Sequence, residues 1–158
     1  MRQLILLRHA HAVPAADGQP DVDRPLSPQG LAEAQSAGRW LAAQSLVPDR
    51  VLCSPARRTR ETLEAVMETL GYVEQRLEQG IYEGTAGTLA GLADANREAE
   101  RLLLVGHNPG LERLAALLHS GQSGDYRGMP TASVVVLDLP ADAAIEPGIA
   151  TLTAFWWP

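Results

Sequence analysis

Short apolar runs that end abruptly in polar, chemically reactive residues constrain the fold of this chain most strongly. Three such runs stand out: Gln3–Leu7 before Arg8-His9, Arg50–Cys53 before Ser54, and Leu102–Val105 before Gly106-His107-Asn108. Apolar runs of this length, bounded by polar or turn residues, are typical of strands buried on both faces of a sheet. Each strand would therefore present its polar residues at its C-terminal end.

Segments with a helical spacing of apolar residues lie between these runs. Four helices are predicted: one from Pro28 with Ser27 as its N-cap, one from Ser54-Pro55 to Gly71, one around Leu89 that ends near Glu100, and one after Asn108-Pro109. Two further strand candidates cover Ser133–Leu139 and Thr151–Trp157. Strands that alternate with amphipathic helices predict an α/β fold, a three-layer α/β/α sandwich with a mainly parallel central sheet. We expect one domain over residues 1–158.

The charge balance excludes several functional classes. The chain carries 13 basic and 19 acidic side chains, a formal net charge of −6, and every basic residue is arginine. General binding of nucleic acid or of a membrane surface needs a basic face, so neither is expected. Without lysine, neither Schiff-base chemistry nor a P-loop is possible. Cys53 is the one cysteine, and no signal-peptide or transmembrane pattern is present, so we expect a cytoplasmic protein.

The predicted strand ends concentrate positive charge in an otherwise acidic chain. Ligands of such sheets bind in the crevice beyond the C-terminal ends of the strands. The basic residues expected there are Arg8, His9, Arg57, Arg58, Arg60 and His107. A guanidinium group can bind two phosphate oxygens at once, in a bidentate contact. Helix N-termini near Ser54 and Asn108 would add unpaired N–H groups. We therefore expect a phosphate group at this edge, with Ser54 and Asn108 among its contacts.

A histidine is the best candidate for a nucleophile in such a site. Lysine is absent, and Arg58 follows Cys53 one position too early for the C-x5-R pattern of cysteine phosphatases. A neutral imidazole attacks phosphorus and forms a phosphoramidate that water hydrolyses. One difficult displacement thereby becomes two easier ones.

Three short motifs occur in a fixed order along the chain. They are Leu7-Arg8-His9-Ala10, the segment Ser54–Thr62, and Val105-Gly106-His107-Asn108. Together they resemble the Arg-His-Gly, S-x-x-x-R-A-x-x-T and second-histidine motifs of the histidine phosphatase (phosphoglycerate mutase-like) superfamily, with Ala10 in place of the usual glycine. The resemblance runs from Leu4 to about Leu118, roughly three quarters of the chain. The short chain and the segment Arg24–Gly30 resemble the SixA-type phosphohistidine phosphatase branch.

The resemblance implies roles for the matched residues. His9 is the residue that becomes phosphorylated, and Arg8, Arg58 and His107 surround the transferred phosphoryl group and offset its charge. Arg24 resembles an arginine that SixA-type proteins place beside the pocket, which makes it a candidate substrate contact.

The spacing of the second motif selects one arginine of a cluster. Arg58 lies four residues after Ser54 and four before Thr62, as the motif requires. Arg57 and Arg60 do not fit this spacing, and we expect them to be solvated or paired with neighbouring glutamates.

Mutase-like relatives use a glutamate to protonate an alcohol leaving group, and the resemblance points to Glu83 for this role. A strong acid is less necessary for a phosphohistidine substrate. An imidazole that is already protonated on its other nitrogen leaves as a neutral molecule, which an alkoxide cannot do.

The resemblance implies neither a metal nor another cofactor. A metal site is the alternative for His9 and His11, because a His-x-His pattern supplies two ligands in metal-dependent hydrolases. Such sites need further ligands on other strands, usually in a much longer chain.

The expected substrate is a phosphohistidine on a phosphotransfer or phosphocarrier protein. The 31 residues from Gly71 to Arg101 must hold a strand, the Glu83 loop and a helix, which leaves little chain for a lid over the pocket. An open site on a monomer suits a phosphate that is displayed on another protein. Two alternatives stay open: a phosphatase for small phosphomonoesters, and a phosphate-binding module without catalysis.

Overall fold

The structure is a computed structural model that describes residues 1–122 and 128–158. Its centre is a six-stranded sheet with helices on both faces. The strands are β1 (Gln3–Arg8), β2 (Arg50–Cys53), β3 (Glu74–Leu77), β4 (Arg101–Gly106), β5 (Val134–Asp138) and β6 (Thr151–Trp156). The helices are α1 (Pro28–Ala43), α2 (Arg57–Leu70), α3 (Ala86–Asp94) and α4 (Gly110–Ser120), with short 3₁₀ turns at Asp21–Asp23 and Gln79–Ile81.

The strand order in the sheet is β3-β2-β4-β1-β5-β6. The first four of these strands are parallel, whereas β5 and β6 are antiparallel to their neighbours. The predicted α/β fold with a mainly parallel sheet is therefore confirmed. Because β2, β4 and β1 are adjacent and parallel, their three C-terminal ends lie side by side.

The apolar runs are buried because alternate residues of a strand face opposite sides of the sheet, and a layer of helices covers each side. Leu4 and Leu6 of β1 pack into the cluster formed with α3 and α4, whereas Ile5 and Leu7 pack into the cluster formed with α1 and α2. All four side chains are fully buried. This alternation produces the three-layer sandwich that the sequence predicts.

Two helix boundaries differ from the prediction. The N-cap of α1 is Ser27 as expected, because its hydroxyl accepts a hydrogen bond from Gly30 N. Ser54 does not cap α2 in the same way: the helix begins two residues later than predicted, at Arg57, and Ser54 Oγ lies against His107 instead. Helix α3 ends at Asp94, several residues before the predicted Glu100.

None of the described helices is long and apolar enough to cross a membrane.

Strand β3 forms one edge of the sheet, and all four of its residues are exposed. Glu74 of this strand forms ion pairs with Arg50 and Arg76. Leu77, its last residue, is 60% exposed. The segment has no apolar periodicity, since neither face of β3 is buried.

The N-terminus of α1 packs tightly against the segment that follows β1. The backbone N–H of Ser27 donates to the carbonyl of His11, and a Cβ on Gly30 would lie 2.0 Å from the same oxygen. Only glycine leaves room for this contact. The close approach fixes the path of residues 9–11 as they leave the sheet.

We predict that Gly30→Ala lowers the free energy of unfolding by about 1–3 kcal/mol, because the new methyl group forces α1 away from the His11 carbonyl. Gly91→Ala in α3 is the matched control, since nothing lies within 4 Å of a Cβ at that position. The control should gain about 0.5–1 kcal/mol from the higher helix propensity of alanine. Urea unfolding of the three proteins measures both effects, and equal stability of the two variants would contradict the packing argument.

Candidate active site

Two histidines lie side by side at the C-terminal edge of the sheet. His9 follows β1 and His107 follows β4, and their ring centroids are 5.4 Å apart. The backbone of His9 is held on both sides, because its N–H donates to Gly106 O and its carbonyl accepts from Ala132 N, at 3.0 and 3.1 Å. The position of the imidazole is thus set by the sheet rather than by a loop.

The hydrogen bond of the His9 side chain determines which ring nitrogen is free. Its Nδ1 lies 2.7 Å from the carbonyl oxygen of Ala10. Since a carbonyl can only accept, Nδ1 carries the hydrogen and Nε2 of the neutral ring keeps its lone pair. Burial is the main reason that the pKa of His9 falls to about 4, and Arg8 and Arg58 lower it further. The neutral, nucleophilic form is therefore present at physiological pH.

His107 is neutral for similar reasons. Burial lowers its pKa to about 3, with additional contributions from His9 and Arg58. Its Nε2 lies 2.7 Å from Ser54 Oγ, while Nδ1 is buried and has no hydrogen-bond partner among the described residues. Ser54 Oγ accepts a bond from Ala56 N, so its own hydrogen can be directed at Nε2. The ring then carries its hydrogen on Nδ1, as a donor for a ligand.

Two arginines lie at the same edge with donors to spare. Arg8 Nη1 donates to the carbonyl of Met129, which also accepts from Asn108 Nδ2, both at 2.8 Å. Arg58 is only 6% exposed and donates through Nη1 and Nη2 to Asp21. The Nε atoms of both arginines are buried without a partner in residues 1–122 and 128–158. Buried donors of this kind fit the oxygens of a phosphate group.

A local hydrogen-bond chain links the backbone of Arg58 to the segment that follows β1. Thr62 Oγ1 accepts from the backbone N–H of Ala10 at 3.0 Å and donates to the carbonyl of Arg58 at 2.7 Å. Thr62 is fully buried in the first turns of α2. The threonine that ends the second motif thus ties α2 to the residue after His9.

The sequence did not indicate Asp21 or Tyr82, and both lie in the site. Tyr82 Oη donates to Asp21 Oδ2 at 2.6 Å, and the Tyr82 ring makes an edge contact with His107 at 5.5 Å between centroids. Arg24, predicted as a substrate contact, also binds Asp21, at 3.2 Å. The Tyr82 hydroxyl and the two arginines hold the pKa of the Asp21 carboxyl well below its usual range. Asp21 lies in an aperiodic Pro/Asp/Gly-rich loop, where no pattern could have indicated it.

A cavity of about 300 Å³ opens beside His107. Its lining includes His107, Arg58, Tyr82 and Glu83. Glu83 is exposed and has the left-handed backbone conformation, with φ of 59°. A tight turn produces this conformation, because a Cβ on the next residue, Gly84, would lie 2.3 Å from Gly80 O. The turn brings Glu83 to the rim of the cavity.

The remaining basic candidates lie outside this cluster. Arg57 pairs with Glu61, and Arg60 donates to the carbonyl of Pro55, in agreement with the expectation of solvated or ion-paired side chains. His11 is exposed and bonds Ser27 Oγ through Nδ1. In the part of the chain that the structure describes, no group of three or more His, Cys, Asp or Glu side chains could hold a metal ion.

Comparisons with known proteins agree on one family. A model of the histidine phosphatase superfamily (branch 1) matches residues 4–117. An uncharacterized protein of Mycobacterium tuberculosis is 36% identical, over 96% of this chain and 99% of its own length. Phosphohistidine phosphatase SixA of Escherichia coli is 29% identical, over 86% of each chain. A solved structure from Agrobacterium tumefaciens, provisionally named as phosphohistidine phosphatase SixA, superimposes with a TM-score of 0.85 at 31% identity, over 99% of this chain and 98% of that one.

The pKa values predict that both site histidines stay neutral over the physiological range. The Cε1–H NMR signals of His9 and His107, assigned through His9→Asn and His107→Asn, should keep the shift of the neutral ring from pH 8 down to about pH 5. The same histidines in urea should titrate near 6.5.

A corresponding loss of stability is expected in acid. The unfolded chain binds more protons between about pH 6.5 and pH 4, so the free energy of unfolding should be fully retained above this range and fall as the pH is lowered through it. A signal of His9 that titrates near pH 6.5 in the folded protein would contradict the burial argument.

Proposed function

The chain belongs to the histidine phosphatase superfamily, and on this premise we propose that it is a hydrolase that forms a covalent phosphohistidine on His9. The observation that carries the proposal is the bond from His9 Nδ1 to the Ala10 carbonyl, at 2.7 Å. It leaves Nε2 as a free nucleophile beside two cationic arginines and a neutral histidine. Arg8, Arg58 and His107 bind the phosphoryl oxygens around it.

The reaction takes place in two displacements. In the first, the lone pair of His9 Nε2 bonds to phosphorus while the bond from phosphorus to the leaving group breaks. In the second, water attacks phosphorus, the bond to Nε2 breaks, and the released phosphate carries both hydrogens of the water. His9 returns to its neutral form with Nδ1 still bonded to Ala10. Arg8 and Arg58 offset the charge on the equatorial oxygens, as a metal ion does in other phosphatases.

The proposed substrate is a phosphohistidine on a phosphotransfer or phosphocarrier protein. Two observations support this choice: the relative from Escherichia coli is named phosphohistidine phosphatase SixA, and the cavity of about 300 Å³ beside His107 has room for a departing imidazole. An imidazole that departs from phosphorus fits such a space between the Tyr82 ring and Glu83. The rest of the substrate protein would remain outside, on the exposed rim.

Glu83 is the proposed proton donor for substrates that need one. It lies on the rim of the cavity beside His107. An alkoxide leaving group requires a proton as the phosphorus–oxygen bond breaks, whereas a protonated imidazole does not. Ser54 holds His107, Asn108 holds the Met129 carbonyl beside Arg8, and Arg24 binds Asp21. We therefore propose that these three residues support the phosphate site.

We predict that His9→Ala lowers hydrolysis of an aryl phosphate by at least about a thousandfold, since the nucleophile is lost. His119→Ala, which changes an exposed histidine in the last turn of α4, is the control and should retain full activity. Assays in excess chelator should match those without it.

Rapid quenching should trap acid-labile, base-stable phosphate on the wild-type protein and none on His9→Ala. Full activity of His9→Ala would exclude the mechanism. Binding of phosphate without turnover or trapping would instead indicate a binding module.

We predict that Glu83→Gln separates the substrate classes. The variant should lower kcat on a phosphoserine peptide by about a hundredfold or more, because general acid catalysis is lost. On a phosphohistidine carrier protein the change should be less than about threefold. Glu78→Gln, four residues past the start of β3, is a control outside the cavity. Equal losses on both substrates would contradict the assignment of Glu83. A wild-type kcat/KM on any small ester that exceeds the value on every phosphohistidine protein tested by more than about tenfold would contradict the choice of substrate.

A further inference from the structure

We propose that Asp21 is a positioning residue that acts on the reaction through Arg58, an inference that rests on the function proposed above. Two groups of Asp21 bind the same guanidinium: the backbone carbonyl accepts from Nη1 at 2.8 Å and the carboxylate from Nη2 at 3.0 Å. This double contact defines both the position and the orientation of the guanidinium plane. The Arg58 guanidinium is therefore already oriented before a phosphate group binds.

The contact leaves the donors that a phosphoryl group needs. A guanidinium has five N–H donors, and Asp21 uses two of them. The Nε–H and one hydrogen on each Nη remain for phosphoryl oxygens, and Nε has no partner among the described residues. An unrestrained arginine loses side-chain entropy when it is fixed, so an arginine held in advance binds a transition state more tightly.

Tyr82 supports the same carboxylate from the other side. Its hydroxyl donates to Asp21 Oδ2, the oxygen that binds Arg58 Nη2, and its ring lies 6.0 Å from the Arg58 guanidinium carbon. Arg24 donates to Oδ1. One carboxylate thus joins the loop before α1, the first turn of α2 and the turn before α3, three segments that are far apart in the sequence.

Two other roles for Asp21 fit these contacts less well. A proton donor must be protonated at working pH, but Tyr82 and the arginines keep the pKa of this carboxyl below its normal value. A role in stability alone is also a poorer fit, because the Asp21 side chain is 52% exposed and solvent screens its pairing with the buried Arg58, whose side chain is 7% exposed.

The first test is independent of catalysis. The ¹⁵N heteronuclear NOE of Arg58 Nε, assigned through Arg58→Ala, should be that of a rigid group in the wild type and should fall markedly in Asp21→Ala. Asp23→Ala, in the same 3₁₀ turn but with no side-chain hydrogen bond to the described residues, is the matched control and should not change it. An unchanged NOE in Asp21→Ala would overturn the proposal even if the protein proved to have no phosphatase activity.

The second test is a double-mutant cycle on aryl phosphate hydrolysis and on tungstate binding. Asp21→Ala should lower kcat/KM by about tenfold to a hundredfold and weaken tungstate binding, with the urea midpoint equal to that of Asp23→Ala. In the Arg58→Ala background it should have less than a twofold further effect, because the two residues act as one unit. Asp21→Asn keeps an oxygen for Arg58 and should recover most of the activity.

Each opposite outcome has a distinct meaning. Additive losses in the Arg58→Ala background would show that Asp21 acts by another route, and faster hydrolysis or tighter tungstate binding in Asp21→Ala would show that it competes with the substrate. Both overturn the proposal while leaving the phosphatase assignment intact. If the cycle on tungstate binding is non-additive but the wild type hydrolyses no substrate, the proposed function is refuted and the positioning role still stands.

Discussion

The site depends on the backbone hydrogen bonds that continue the sheet past the end of β1. Through its N–H and its carbonyl, His9 is bound to Gly106 on one side and to Ala132 on the other. A nucleophile on a loop would have to be ordered at each turnover, whereas His9, the proposed nucleophile, shares the rigidity of the central strands. The neighbouring strand ends bring Ser54 and His107 to the same edge, so the parallel arrangement of β2, β4 and β1 sets the geometry of the candidate site.

Burial beside fixed positive charge gives the histidines their chemistry. Desolvation alone disfavours an imidazolium, and the guanidinium groups of Arg8 and Arg58 disfavour it further. A guanidinium carries a delocalised permanent charge, so the site stays positive while His9, the proposed nucleophile, stays neutral. A group that donates an electron pair and groups that attract an anion can therefore share one site.

The sequence predicts what depends on periodicity and on spacing, and it fails where a contact is specific to the tertiary structure. The apolar runs, the Ser27 cap and the three motifs were sufficient for the fold class and for the convergence of His9, Arg58 and His107. The predicted start of α2 was wrong because Ser54 Oγ bonds His107, the residue after β4, and does not cap the first turn of α2. Asp21 and Met129 could not be identified, since one lies in an aperiodic loop and the other acts through its backbone carbonyl.

The exposed edge strand β3 has a consequence for how the chain behaves among its own copies. An edge strand offers unpaired backbone groups to any other extended chain, and a flat apolar edge promotes fibrous aggregation. Here, Glu74 and Arg76 form an ion pair along the strand, and Glu74 also forms an ion pair with Arg50 of the neighbouring strand β2. A second strand that docked on this edge would have to desolvate charges that already have partners. The side chains of β3 thus favour solubility at high concentration, an advantage that a purely apolar edge would forfeit.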